Sequence, residues 1–255
     1  MFLKDGGESV IQTMQYTLQD VTKLLNLPEK TINRWIQEQQ IPYHQVRGQY
    51  RFNRDELLEW AIARGIQIAK DPFQESNGKS LPCLRLDRSL QAGGIFFEIE
   101  GASKEGLLHA VLEEMNLPAE IDREFLLQMI LAREELSSTA VGDGIAIPHV
   151  RSPIVLQVSV PMITLCFLKT PIEYGALDGK PVNTLFTLIS PTTRTHLQLL
   201  SRLAFALRDP QFRRVIKNQG RPEEILVEAE RIEANFPSSK VSASNPSPTP
   251  AHSQQ

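Results

Sequence analysis

Apolar positions recur at helical spacing in the first quarter of this chain and at alternating helix and strand spacings afterwards. Near the start, Val21, Leu24 and Leu25 share one helical face behind Thr17-Leu18-Gln19-Asp20. Thr17 suits an N-cap there, and Asp20 puts an acid in the first turn. Asn26-Leu27-Pro28 breaks that helix, and Pro28 suits the first residue of the next. The second helix, Glu29 to about Gln39, places Ile32, Trp35 and Ile36 on a core face, with Lys30, Asn33, Arg34 and Gln37 opposite. Ile41-Pro42 ends it. Tyr43 to Val46 and Gln49 to Phe52 predict a small hairpin turning at Gly48. Asn53 and Glu56 form a capping-box pattern that opens a third helix through Leu57, Leu58 and Trp60.

Residues 65–80 hold Pro72, Asn77 and Gly78 among mixed charges and predict a linker. A helix from Leu84 to Ala92, stopped by Gly93-Gly94, then leads to a strand at Ile95–Ile99. Two further helices open at Ser103 and Asp122. Gly142-Asp143-Gly144 turns into Ile145-Ala146-Ile147, a short buried strand that Pro148 should end, since proline cannot donate to a sheet ladder. Strands are expected at Val158–Leu168 and Thr184–Ile189, with a hairpin signal at Asp178-Gly179. Thr195 should cap a helix through Leu199, Leu203 and Leu207, and two shorter helices follow Asp209-Pro210 to Ala234. This alternation predicts an α/β domain over 81–236, with a central mixed sheet flanked by helices. Residues 1–15 should fray, and the Ser/Pro-rich 237–255 should be disordered.

Composition narrows the function. Of 255 residues, 41% are hydrophobic, enough for two modest cores, and the net charge of −3 excludes a global basic footprint. Residues 1–72 carry nine basic and nine acidic side chains, so a nucleic-acid-binding first half would be weak as a monomer and would gain from a homodimer. Cys83 and Cys166 are isolated and suit a reducing compartment. Met1–Val10 lacks the apolar core of a signal peptide, and Val158–Leu168 is too short to span a bilayer. A cytoplasmic protein without membrane insertion is expected.

The candidate chemistry centres on His149, placed at a strand end beside a turn. A neutral imidazole there can act as nucleophile, base or metal ligand, or simply bond a backbone carbonyl. For a metal shared with His196, no carboxylate or cysteine stands at ligand spacing, so neither metal nor cofactor is expected. Ser137 and Ser138 lie in no nucleophile-elbow sequence.

Gly142-Asp143-Gly144-Ile145-Ala146-Ile147-Pro148-His149 resembles the signature of the type-2 enzyme IIA domains of the sugar phosphotransferase system, the fructose, mannitol and nitrogen-related group. Ala132-Arg133-Glu134, Thr170-Pro171-Ile172, Leu177 to Val182 and Thr195-His196-Leu197 extend the resemblance over about 81–235. It implies that His149 takes a phosphoryl group from a phosphocarrier protein and passes it to a transporter domain or holds it as a signal. Arg133 becomes the active-site arginine and His196 the second histidine. Arg133 can fork onto two phosphoryl oxygens, and His196, near a helix start, can donate to the group. One departure stands out: the family's usual glycine after the histidine is Val150, which is expected to narrow access, with Arg151 adding compensating charge.

Helix, turn, helix, wing, helix over residues 16–64 resembles the excisionase and MerR-like winged helix-turn-helix family at Trp35, Ile41-Pro42, Gly48 and Arg51-Phe52. Lys30, Asn33 and Arg34 would then meet base edges or phosphates, and Arg47 and Arg51 on the wing the backbone. Together the two resemblances imply a phosphorylation-responsive, DNA-binding regulator. The alternative is a phosphotransfer component feeding a sugar permease, its first domain serving only localisation or protein interaction.

Overall fold

The computed structural model describes residues 15–46, 48–64, 66, 84–150 and 158–236. The expected tails over 1–14 and 237–255 and the expected linker lie outside these residues, apart from Ile66 within the linker range.

The N-terminal helices begin and end where their caps dictate. Helix α1 (Leu18–Leu25) opens with a reciprocal capping box, in which the Thr17 amide donates to Asp20 Oδ2 at 2.9 Å. Asn26, in the left-handed conformation at φ 49°, closes it. Helix α2 (Glu29–Gln37) starts at Glu29 as expected, with Pro28 as its N-cap rather than its first helical residue, and ends two residues short of Gln39. Strand β1 (Gln15–Tyr16) precedes α1 and pairs antiparallel with the end of β3 (Gln49–Asn53), so Gln15 belongs to the fold and not to a frayed tail. β3 also pairs with β2 (His44–Val46) to form the wing, turning at Gly48 with φ 76°. Helix α3 (Arg54–Ala63) follows directly, its first turn capped by Asn53 Oδ1 accepting from the Glu56 amide.

Val21, Leu25, Ile32, Ile36, Phe52, Leu57, Trp60 and Ala61 form the first core. Trp35 is half-buried against it and meets Trp60 edge-on, with ring centroids 5.3 Å apart. Helix α3 is apolar on two sides. Leu57, Trp60 and Ala61 face this first core, whereas Leu58 and Ile62 enter a core of the second region.

That second region is a five-stranded mixed sheet in the order β4-β7-β8-β6-β5: β4 (Ile95–Ile99), β5 (Ala140–Gly142), β6 (Ile145–Ala146), β7 (Met162–Ile172) and β8 (Val182–Ile189). β4 runs parallel to β7 and β6 parallel to β8; β7–β8 and β5–β6 are antiparallel. β7 starts after Pro161 and runs to Ile172, four residues further than the strand expected at Val158–Leu168. Its side chains alternate between two cores, with Ile163, Leu165 and Phe167 on one face and Met162, Cys166 and Leu168 on the other.

The first face packs on α4 (Leu86–Gly93), α7 (Thr193–Ala206), α8 (Pro210–Lys217) and α9 (Pro222–Asn235), together with α3. The second packs on α5 (Lys104–Glu114) and α6 (Arg123–Leu136). Gly93 lets α4 lie directly on the sheet: a Cβ there would fall 2.3 Å from the Ile163 carbonyl oxygen. Helix α7 opens at Thr192, whose hydroxyl accepts from the Thr195 amide at 3.1 Å; Thr195 is therefore not the cap. At 14 residues α9 matches α7 in length, so only α8 is one of the expected shorter segments. No helix among the described residues is long and apolar enough to cross a membrane.

Candidate functional site

The turn before His149 is built for left-handed backbone. Gly142, Asp143 and Gly144 have φ of 93°, 51° and 78°, a run that glycine tolerates and aspartate adopts more readily than most residues. Two neighbours pin it. The Asp143 amide donates to Asp178 Oδ2 at 2.8 Å, and its carboxylate pairs with Lys180 at 2.7 Å and with Arg213. From this anchor the chain runs through β6 and Pro148, whose carbonyl accepts from the Leu188 amide at 3.0 Å, and delivers His149 in a parallel bridge with Leu188.

Arg133 comes from the last turn of α6. Its neighbour Glu134 is buried and accepts from the Thr139 amide at 3.1 Å and the Thr139 hydroxyl at 2.6 Å, tying the helix end to the start of β5. Arg133 Nη1 donates to the Ser137 carbonyl at 3.0 Å, which fixes the direction of its guanidinium. His196 lies in the first turn of α7, where its amide already donates to the Thr192 carbonyl at 2.9 Å. The His149 and His196 rings are 4.9 Å apart. Thus the three residues expected at one site do converge.

A fourth residue was not expected. Glu59, on the side of α3 turned to the second region, places Oε1 2.8 Å from His149 Nε2 and 3.0 Å from Arg133 Nε, and pairs with Arg133 Nη2 as well. The site is closed around it, with exposures of 8% for Glu59 and 3% for each histidine. His149 Nδ1 lies 2.6 Å from the Ile147 carbonyl oxygen. Both nitrogens of His149 therefore lie close to oxygen atoms. The contact to Glu59 has the distance of a hydrogen bond but not its directionality, so it is held by charge. Burial works against the Glu59 anion, but its interactions with His149 and with the Arg133 guanidinium outweigh it and hold the carboxyl well below its usual range.

His196 is the opposite case. Burial, with the cations at His149 and Arg133 adding to it, pushes its pKa down to about 3, so the ring is neutral at physiological pH. Neither ring nitrogen has a hydrogen-bond partner among the described residues. An unsatisfied buried imidazole is costly, and an incoming oxygen would relieve it.

Glu59 also corrects the expectation that no carboxylate stands near the two histidines. Glu59, His149 and His196 bring three ligand atoms within 4.8 Å of one another. Such a set could hold a zinc ion. Here the Arg133 guanidinium already sits on the same carboxylate oxygen and supplies the positive charge, so a dication would be repelled.

Val150 does not narrow the site. Its side chain is fully buried in the core between the sheet and α5–α6. Arg151, its expected compensation, lies outside the described residues. Of the expected DNA contacts, Lys30 and Arg34 are exposed on α2 and Asn33 is half-buried beside them. Arg51 on the wing donates to Gln49 Oε1 at 2.6 Å and to the Tyr50 carbonyl at 3.2 Å. Arg47 lies outside the described residues.

Residues 88–229 match the family model of the phosphoenolpyruvate-dependent sugar phosphotransferase system, EIIA 2, and residues 16–65 that of a helix-turn-helix domain. A nitrogen regulatory protein of Pseudomonas aeruginosa is 37% identical over 128 residues, which are 49% of this chain and 80% of that protein. The fructose-specific EIIABC component of Bacillus subtilis is 31% identical over 134 residues, 51% of this chain but 21% of that longer protein. Among solved structures, the nitrogen regulatory protein IIA-Ntr of Neisseria meningitidis is 28% identical with a TM-score of 0.47, covering 53% of this chain and 92% of that one.

Proposed function

The chain belongs to the type-2 EIIA family of the phosphoenolpyruvate-dependent sugar phosphotransferase system and carries a helix-turn-helix domain, and on that premise we propose that it is a phosphotransferase-linked DNA-binding regulator. His149 accepts a phosphoryl group from a phosphocarrier protein, and the winged domain carries the response to DNA through Lys30, Asn33, Arg34, Arg47 and Arg51. The observation that supports this most is the meeting of His149, Arg133 and His196 around one buried point.

The chemistry follows from the roles of these groups. With Nδ1 committed to the Ile147 carbonyl, Nε2 is the reacting nitrogen. In the neutral tautomer whose Nδ1 hydrogen is given to that carbonyl, Nε2 presents its lone pair. Its lone pair then forms the new N–P bond as the N–P bond of the donor phosphohistidine breaks. The departing electron pair stays on the donor imidazole, which takes a proton. Phosphoryl transfer asks the protein mainly for positioning and charge stabilisation. Arg133 supplies a permanent fork for two oxygens, and neutral His196 donates a hydrogen bond without adding charge. The similarity to a nitrogen regulatory protein favours a regulatory output over sugar uptake.

The test is incubation of the full chain with phosphoenolpyruvate and the general phosphotransferase enzymes, read by intact mass. A gain of one phosphoryl group in the wild type, absent from His149→Ala, is expected. No gain in any form of the protein would overturn the reading.

A further inference from the structure

Two observations bear on how this site is controlled. The side chain that neutralises Arg133 and His149 comes from the winged domain, and helix α3, which carries it, is packed against α7 by Leu58 and Ile62. The site is also shut: both histidines are buried beneath α3, whereas an acceptor histidine must meet the phosphohistidine of another protein.

We propose that Glu59 is a built-in carboxylate ligand of the phosphoryl site, latching the winged domain over His149 until a phosphoryl group takes its place. This rests on His149 being the phosphoryl acceptor. Glu59 Oε1 occupies the space that a phosphorus bonded to Nε2 would need, 2.8 Å from that nitrogen. It also uses the Arg133 donors that a phosphoryl oxygen would use. The two anions are alternatives. A phosphoryl group brings roughly two negative charges, so the displaced carboxylate would also be repelled by the group replacing it. While Glu59 is docked, its carboxylate stands against Nε2 where the donor's phosphorus would have to approach, so the latched form is unreactive as well as covered.

Release is an all-or-none event. Leu58, Glu59 and Ile62 sit within two turns of one helix, so uncovering the site for another protein means drawing the two apolar side chains off α7 together with the carboxylate. Docking by α3 and docking by the phosphocarrier are therefore mutually exclusive uses of one face of the second region. The other side of α3 stays in its own core through Leu57, Trp60 and Ala61, so the winged domain leaves as a folded unit.

The experiment is a distance measurement between spin labels on the full chain, at Gln37→Cys on α2 and His109→Cys on α5, both exposed positions, with Cys83→Ser. The unphosphorylated protein should give one narrow distance. Glu59→Ala leaves the Arg133 guanidinium in a closed site without its anion, and should shift the docking equilibrium on the order of a hundredfold toward a broad distribution. Glu59→Gln, which keeps the shape, should shift it in the same direction. Phosphorylated wild type, its modification confirmed by mass, should also be broad. A narrow distance in both Glu59 variants, with cooperative unfolding showing them folded, overturns the latch whatever the mass shows. A narrow distance in the phosphorylated wild type overturns displacement while leaving the phosphoryl-acceptor reading intact. Phosphorylation of Glu59→Ala but not of the wild type would support the latch as a block. Phosphorylation of neither would sink the acceptor reading and displacement with it.

Discussion

Acid sensitivity isolates the role of His196, because this ring is neutral in the folded chain for a reason that can be removed. Burial and the neighbouring cations lower its pKa from 6.5 to about 3. The sign follows: as pH falls below about 6.5 the unfolded chain takes up a proton that the folded chain refuses, so stability drops. The loss starts near the unfolded value and ends near the folded one. Between about pH 7.5 and about pH 5 the unfolded histidine becomes almost fully protonated while the folded one stays neutral, and the linkage integral comes to about 2 kcal/mol. Glu59 contributes little in that window. Its carboxyl is held low in the folded state, so its stabilisation is fully present above 4.5 and is lost only as pH falls further.

His196→Asn removes the titrating group while keeping a polar side chain. Urea titrations of both proteins at the two pH values give four free energies. The expected result is that the wild type loses about 2 kcal/mol more than the variant on going to acid pH. Equal losses would refute the claim that His196 is held neutral by burial. The neutral form matters for the proposed chemistry, since a neutral ring can donate a hydrogen bond to a phosphoryl oxygen without adding charge to the site.

Two further outcomes are expected. Val150→Gly, which restores the family's usual residue, should cost about 2 kcal/mol or more in a denaturant titration, because it removes a fully buried side chain and frees the backbone; it should not speed phosphoryl acceptance in a mass time course. Arg133→Lys should slow phosphoryl acceptance by about tenfold or more in the same assay, since an ammonium cannot hold two oxygens in one plane.

The caps and breaks of this chain are local, and local signals were legible. Thr17, Asn53, Ser103 and Asp122 all cap the helices expected of them, and Gly94 closes α4 with φ 88°. Errors arose where two nearby residues could do one job. Thr192 displaced Thr195 as the cap of α7, and Pro161 lay before β7 rather than within it. Glu59 could not be inferred from its spacing to His149, because ninety residues separate them and only tertiary packing brings them together. A weaker signal did exist. Leu58 and Ile62 form a second apolar stripe on α3, beside the one made by Leu57, Trp60 and Ala61, and a helix apolar on two sides must touch two bodies. The acid lying alongside that second stripe was then the residue to ask about. The burial of Val150 was hidden for a related reason: its position next to His149 in sequence does not say which core its side chain joins.

The latch constrains how a phosphoryl signal could reach DNA. Lys30 and Arg34 are exposed with α3 docked, so the described residues of the C-terminal region do not cover this face of α2. Unmasking of α2 is therefore not the route. Release instead frees the winged domain to change its orientation relative to the rest of the chain, which affects DNA only where two winged domains must be held at a fixed spacing. The neutral charge balance of the first 72 residues points the same way, because one such domain neutralises few phosphates and two are needed for tight binding. Affinity for a single half-site should accordingly agree within about threefold between wild type and Glu59→Ala, with the same salt slope. Affinity for paired half-sites at fixed spacing should differ by about tenfold or more, which bending-insensitive titrations by fluorescence anisotropy can resolve. A large difference on the single half-site would mean that docking alters the reading face itself, and that α3 passes the signal through the winged core at Leu57 and Trp60 rather than through its position.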